Sequence, residues 1–265
     1  MKIYISADIE GVTTTTSWAD CSPKESAYSA HADQMTKEVL AACEGATAAG
    51  ADEIVIKDAH GPADNIDITR LPENASIIRG WTGHPYMMVE GLDGSFDAAL
   101  FVGYHSAAGR CGNPLSHTVS GKPLYIKING VYTSEFMLYS WAAALEGVPT
   151  VFLSGDKMLC GDYAALHPKL ITVAVKDGMG AMTRNLAPAR TLKMIKDGAE
   201  RALKQDLRGA LCGLPDSFDV EVCYKEHKYA EQMSYYPGVR KVSDNTVRFQ
   251  TDQYLEVLRT YMFIS

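Results

Sequence analysis

The chain has 265 residues, 46% hydrophobic and 22% charged, with a formal net charge of −7. That length and mix fit an ordinary globular protein with a full core and room for a main domain and a smaller one. The acidic balance without a dense Lys/Arg run argues against a nucleic-acid surface, and no stretch approaches the ~20 apolar residues of a membrane helix. Six scattered cysteines without a C-x-x-C pair fit neither a thiolate zinc site nor a disulfide scaffold, so reduced thiols and a cytoplasmic location are expected.

In chain order, the apolar run Lys2 to Ala7 is broken by Asp8; it is too short for a signal-peptide core and suits a central parallel strand. Ser22-Pro23-Lys24-Glu25 predicts a capping-box helix start, and Met35, Val39, Ala42, Cys43 and Ala46 then recur at helical spacing until Gly50. Glu53 to Lys57 predicts the next strand. Ala98 to Gly103 predicts another, reached through a looser stretch with Ile77 and Ile78. Leu124 to Ile128 before Asn129-Gly130 is a hairpin signal, and a helix is expected from about Ser134 to Leu145. Thr150 to Ser154 and Leu170 to Val175 continue a strand–helix alternation, with an amphipathic helix around Leu192 to Leu203.

After Pro215 the pattern changes. Phe218, Val220 and Val222 alternate with Asp219 and Glu221, two short β runs meet near Asp244-Asn245, and a last helix follows Thr251. Such alternation belongs to an antiparallel layer. The expected class is α/β: a mostly parallel sheet flanked by helices in three αβα layers, with a smaller α+β C-terminal subdomain. The expected division is residues 1–212 for the catalytic part and 213–265 for a subdomain docked on it.

Chemistry-bearing residues fall where the predicted strands end. Asp8 and Glu10 close the first, two apart and so on one side of an extended chain, and Gly11 lets the backbone turn away. His60 closes the second with Gly61 behind it, and His105 closes the third. Glu135 opens the helix after the hairpin. Taken singly, each has an ordinary reading: solvated carboxylates for Asp8 and Glu10, structural histidines for His60 and His105, a capping residue for Glu135. Together they form a carboxylate–imidazole set at the sheet edge where open α/β folds bind ligands, a normal donor set for zinc. Asp58 is open to two readings, partner to an imidazole or cap of the following turn. His117, flanked by turn residues, suits a proton shuttle, though a surface histidine reads the same way. No G-x-S-x-G elbow, P-loop or dinucleotide fingerprint is present.

With those residues in view the chain resembles the DppA-type D-aminopeptidase family of binuclear zinc peptidases over most of its length. The resemblance rests on Ser-Ala-Asp-Ile-Glu-Gly (6–11), Lys-Asp-Ala-His-Gly (57–61), Met-Val-Glu-Gly-Leu-Asp (88–93), Gly-Tyr-His (103–105), Ser-His (116–117), Ile-Asn-Gly (128–130) and Ser-Gly-Asp (154–156). It implies that Asp8, Glu10, His60, His105 and Glu135 hold two zinc ions per subunit with Asp8 as bridge, and that His117 is the catalytic histidine. It also implies a homodecamer with an internal channel, and release of N-terminal D-residues from short peptides by a zinc-activated water. In place of the family's small residues after Gly11, this chain has Val12 and four threonines, Thr13 to Thr16, expected at the mouth of the site. The alternatives are a metal-dependent amidase or phosphoester hydrolase, or a non-catalytic peptide-binding, transport-accessory protein.

Overall fold

The first apolar run forms strand β1 (Lys2–Ala7), whose alternate residues feed two cores, Ile3, Ile5 and Ala7 on one face and Tyr4 on the other. That is the signature of a strand buried on both sides. In the computed structural model, which describes residues 1–164, 166–167 and 169–265, a short helix α1 (Trp18–Cys21) and a long one, α2 (Tyr28–Ala48), follow. Next come β2 (Glu53–Asp58), β3 (Ala75–Ile78), β4 (Ala98–Tyr104) and the hairpin β5 (Pro123–Ile128) with β6 (Val131–Tyr132). Helix α3 (Glu135–Leu145), β7 (Thr150–Asp156), helix α4 (Lys157–Ala164), β8 (Ile171–Met179), β9 (Met182–Asn185) and helix α5 (Pro188–Leu203) lead to the last segment. It contains β10 (Phe218–Tyr224), helix α6 (His227–Met233), β11 (Arg240–Lys241), β12 (Thr246–Thr251) and helix α7 (Tyr254–Ile264).

The main sheet has seven strands in the order β3-β2-β1-β4-β7-β8-β9, parallel throughout except for the closing pair β8–β9. The chain steps outward from β1 to β3, then returns to place β4 on the other side of β1. The strand order therefore reverses between β1 and β4, and the crevice beyond their carboxyl ends is the expected ligand position. Helices α2 and α5 cover the Ile3–Ile5 face. Helix α3 covers the opposite face, where Phe136 packs edge-on against Phe101 of β4 with ring centroids 5.1 Å apart.

A second, antiparallel sheet has the order β11-β12-β10-β5-β6. Its strands come both from residues 218–251 and from the hairpin at 123–132. Asn129 (φ 51°) and Gly130 (φ 81°) supply the two left-handed residues that a two-residue hairpin turn needs. Three buried tyrosines tie this layer to the rest: Tyr254 donates to the Leu138 carbonyl, Tyr261 to that of Thr118 and Tyr224 to that of Ile264, each at 2.7 Å.

Local readings differ from the structure in a few places. The capping-box start at Ser22 is not a helix start: Ser22 to Glu25 form a backbone turn, with the Glu25 amide donating to the Ser22 carbonyl, and α2 begins at Tyr28. The Glu25 amide is taken by the Ser22 carbonyl rather than by its side chain, while Asp20 accepts the amides of Thr16 and Ser17 and so holds the start of α1. The loose stretch at Ile77–Ile78 is edge strand β3. The strand at 170–175 continues to Met179 and folds back as β9, a hairpin not evident from its composition.

Candidate metal centre

Asp8 and Glu10 leave the end of β1 with both side chains buried. Two glycines allow this. A Cβ on Gly11 would lie 1.8 Å from the Tyr104 carbonyl oxygen, and Gly103 at φ +74° lets β4 pass close to Asp8. The Gly11 amide then donates to the Gly103 carbonyl at 2.7 Å, locking the two strand exits together. Beyond β2, Asp58 accepts the amides of Asn65 (2.6 Å) and Ile66 (2.9 Å) and the Asn65 side chain (2.7 Å). The same Asn65 amide group donates to the His60 carbonyl at 2.7 Å. Asp58 thus caps the turn that carries His60, the second of its two sequence readings. Beyond β4, Ser106 gives its amide and its hydroxyl to Asp156 at the end of β7, both at 2.6 Å, and so fixes the backbone next to His105. Glu135 opens α3, where Ser134 caps the helix by accepting the Met137 amide.

These exits bring the five sequence candidates together. His60 Nδ1 lies 3.4 Å from Asp8 Oδ1 and 3.0 Å from Glu10 Oε2. His105 Nε2 lies 3.5 Å from Asp8 Oδ2 and 3.1 Å from Glu135 Oε2. Asp8 therefore presents one oxygen to each imidazole. His117 Nε2 is 3.4 Å from Glu135 Oε1, and its ring stacks on His105 with centroids 4.4 Å apart. Each imidazole has its other nitrogen on a backbone carbonyl: His60 Nε2 on Cys21 (2.9 Å), His105 Nδ1 on Ser106 (2.9 Å) and His117 Nδ1 on Leu115 (2.8 Å). A carbonyl only accepts, so that nitrogen carries a hydrogen, and the other nitrogen, facing the carboxylates, is the one a cation would take in place of a proton. This is how metal-binding histidines are held.

The electrostatics point the same way. Burial, reinforced by the charge of Glu10, pushes the Asp8 carboxyl well above its usual range. Burial also opposes ionisation of Glu10 and Glu135, but the facing imidazoles hold both below it. Burial works against a charge on His60 and His105, yet Glu10 and Asp8 raise the first to about 11, and Glu135 with Asp8 raises the second to about 10. Asp8 Oδ2, Glu10 Oε2 and His105 Nε2 are buried with no hydrogen-bond partner. Buried charge is tolerated when paired or when it coordinates a metal. Ligand atoms of Asp8, Glu10 and His105 lie within 4.8 Å of one another, and so do those of His105, His117 and Glu135. Orphaned oxygens and imidazole nitrogens aimed at them fit a divalent cation of the zinc type, which would take the place of the protons. His117 is near enough to be a ligand as well as a proton carrier.

Several supporting residues have no local sequence signal. The buried Lys176 Nζ donates to the carbonyls of Glu10 and Thr15 (2.7 Å to the latter), and Asn113 Nδ2 donates to the same Glu10 carbonyl at 2.9 Å. Burial lowers Lys176 to about 8. Val119 sits at φ +66°, a strained setting for a β-branched residue, and its amide donates to Glu135 Oε1 at 2.6 Å. A charged residue ending an apolar strand was the available hint for Lys176; nothing marked Asn113 or Val119. The threonine loop does not line the mouth. Thr13 bonds to the Leu186 carbonyl, Thr14 to Asn185 and Thr16 to Thr183, so β9 draws the loop inward, and Trp18 stands at the cavity instead.

A model of the D-aminopeptidase family matches residues 1–263. The D-aminopeptidase of Bacillus subtilis (strain 168) is 27% identical over 267 residues, spanning 100% of this chain and 97% of the relative. Among solved structures, the Zn-dependent D-aminopeptidase DppA from Bacillus subtilis, described as a self-compartmentalizing protease, superposes with a TM-score of 0.92 at 26% identity. It covers 100% of this chain and 96% of its own.

Proposed function

The chain belongs to the D-aminopeptidase family, and on that premise we propose that it is a zinc-dependent aminopeptidase releasing the N-terminal residue, a D-amino acid, from short peptides and amino-acid amides. The observation that carries this reading is the convergence of Asp8, Glu10, His60, His105 and Glu135 at the point where the strand order reverses, with each imidazole's free nitrogen aimed at carboxylate oxygens.

In this reading Asp8, Glu10, His60, His105 and Glu135 would hold two zinc ions, with Asp8 shared between the His60 and His105 halves of the cluster. Support comes from Asp8 offering one oxygen to each imidazole. Bound zinc supplies a Lewis acid for the scissile carbonyl and an acidified water at neutral pH. The protein's part is to keep the donors rigid and to handle protons. His117 donates from Nδ1 to the Leu115 carbonyl, which leaves Nε2 free to take a proton and pass it to the departing amine. Glu135, 3.4 Å from that nitrogen, stabilises the imidazolium formed in between. The indole of Trp18, edge-on to His117 at 5.3 Å, limits the water around it.

The fuller reading is a homodecamer enclosing a channel, in the cytoplasm. An enclosed assembly is supported by the self-compartmentalizing description of the Bacillus relative, and the compartment by the scattered cysteines. The test is zinc content together with a panel of D- and L-alanine amides and a phosphate monoester. Cleavage of the D-amide with zinc bound is expected. Cleavage of the phosphate ester alone, or a zinc-loaded protein inert on all three, defeats the proposal.

A further inference from the structure

The cavity above the donor cluster has a volume of about 470 Å³, far more than one water's share of ~30 Å³. One side is the cluster itself. The rest is formed chiefly by Trp18, Trp81, Met87, Met88 and Val119, and none of the described residues lining it is a lysine or arginine. These are two of the chain's three tryptophans. Trp18 is 54% exposed and Trp81 39%, whereas Trp141 is buried in the core. One exposed aromatic is unremarkable; two beside a polar cleft mark a surface that something covers.

We propose that Trp81, Met87 and Met88 form a subsite for an aromatic or large apolar side chain on the substrate's N-terminal residue, with Trp18 flanking the residue after the scissile bond. This rests on the aminopeptidase reading above. The cluster forms a chain of contacts, His60–Asp8–His105–Glu135–His117. Trp18 packs on His117, at the end where the departing amine is protonated. Trp81 belongs to the other end, with its Nε1 donating to the Gly61 carbonyl at 2.8 Å, next to His60. The N-terminal residue therefore lies on the Trp81 side.

The wall is built in advance of any ligand. Lys57 is fully buried, with Nζ 4.0 Å from the Trp81 ring centroid while it donates to the Gly80 carbonyl at 2.5 Å. A buried ammonium is expensive to place, and here it fixes both the indole and the backbone before it. The Met87 sulfur accepts the Tyr139 hydroxyl at 3.3 Å, and Met87 itself sits at φ +37°, a strain that persists only where the surroundings enforce it. The Met88 carbonyl accepts the Ser6 hydroxyl at 2.6 Å. A surface held this firmly loses little freedom on binding, which favours selectivity. An acidic side chain would be desolvated against Trp81, Met87 and Met88, with no lysine or arginine among the described lining residues to answer it, so acidic N-terminal residues are disfavoured.

The test compares kcat/KM of the zinc-loaded protein for D-phenylalanine amide, D-alanine amide and D-aspartic acid α-amide, in wild type, Trp81→Ala and Trp81→Phe. We expect D-phenylalanine amide to lead D-alanine amide by at least ~10-fold, with the aspartate amide last. In Trp81→Ala the lead collapses toward one, mainly through KM, and Trp81→Phe restores most of it. Tryptophan fluorescence gives a readout independent of turnover: D-phenylalanine should bind more tightly than D-alanine in wild type and lose that advantage in Trp81→Ala. Equal kcat/KM for the two neutral amides in wild type, or a Trp81→Ala variant that slows both alike, overturns the subsite while leaving the aminopeptidase reading intact. If no amide is cleaved but fluorescence still selects the aromatic ligand through Trp81, the reaction is wrong and the subsite stands.

Discussion

The floor of the cavity consists of charged side chains at the ends of β1, β2 and β4 and at the start of α3, whereas its walls are the exposed indoles of Trp18 and Trp81 with Met87 and the buried Met88, on short segments outside the sheet. Floor residues are fixed by backbone: strand exits locked through Gly11 and Gly103, and imidazoles tied to carbonyls. Wall residues are fixed side chain by side chain, Trp81 through Lys57 and Met87 through Tyr139. A buried carboxylate without its counter-charge costs several kcal/mol, so the floor tolerates little change, while an indole can be exchanged for another apolar group at the expense of selectivity. The floor should therefore govern whether chemistry occurs and the walls which substrate enters.

The largest effect that could break this contrast is at Asp8. Asp8→Ala removes an oxygen from each half of the cluster, so zinc should fall toward zero by elemental analysis and turnover by ~10³-fold or more, given the several kcal/mol a metal supplies. Full zinc occupancy in that variant would rule out the bridging role. His117→Ala comes next, with kcat down ~10²–10⁴-fold and zinc retained; since His117 also lies within ligand distance of Glu135 and His105, a parallel loss of zinc would move it from proton carrier to ligand.

Lys176→Met probes the layer under the floor. Zinc affinity, measured by competition with a chelator, should weaken ~10–100-fold, as for other residues that hold a ligand in place. An unchanged affinity would show that Asn113 alone secures the Glu10 carbonyl.

Glu38 tests the threonine loop behind the site. Burial pushes it up to about 7, against donation from Gln34 and the Thr13 amide. Its folded-state value is raised, so the native state holds the extra proton and stability falls as pH rises from about 4.5 through about 7. Glu38→Gln should therefore raise the melting temperature at pH 8, by an amount equivalent to ~1–3 kcal/mol, and lose most of that advantage at pH 5. An advantage independent of pH would mean that packing, not charge, is responsible. The smallest effect belongs to the surface: Lys193→Ala, which removes an i,i+4 pair with Asp197 on α5, should cost at most ~0.5 kcal/mol and leave turnover unaltered.

Much of this was legible in the chain. The apolar run before Asp8, the glycines after the donors, the Asn129-Gly130 turn and the alternation from Phe218 each follow from a period of two or from a left-handed backbone requirement, which are local properties. Asp8, Glu10, His60 and His105 could be singled out as candidates because strand ends in a parallel sheet share an edge whatever the strand order, whereas Glu135, which opens a helix, is joined to them by the family resemblance. Local patterns were less reliable where several side chains compete for one stretch. Ser22 to Glu25 has the composition of a helix start, but the Glu25 amide goes to the Ser22 backbone carbonyl and the stretch folds as a turn before α2.

What tertiary structure alone decided is which distant residues meet. Lys176 reaches the Glu10 carbonyl across 166 positions, and Asn113 reaches it across 103. Strand β5 pairs with β10 in a sheet built from two remote parts of the chain, and Tyr261 of α7 supports the loop that carries His117 by donating its hydroxyl to the Thr118 carbonyl. Trp18 and Trp81 come to one cavity although nothing in the residues around either indicates the other. Periodicity and turn chemistry are properties of neighbours along the chain and so can be read from it. Strand order and the packing of loops depend on free-energy differences between whole arrangements that share the same local patterns, and only the folded molecule chooses among them.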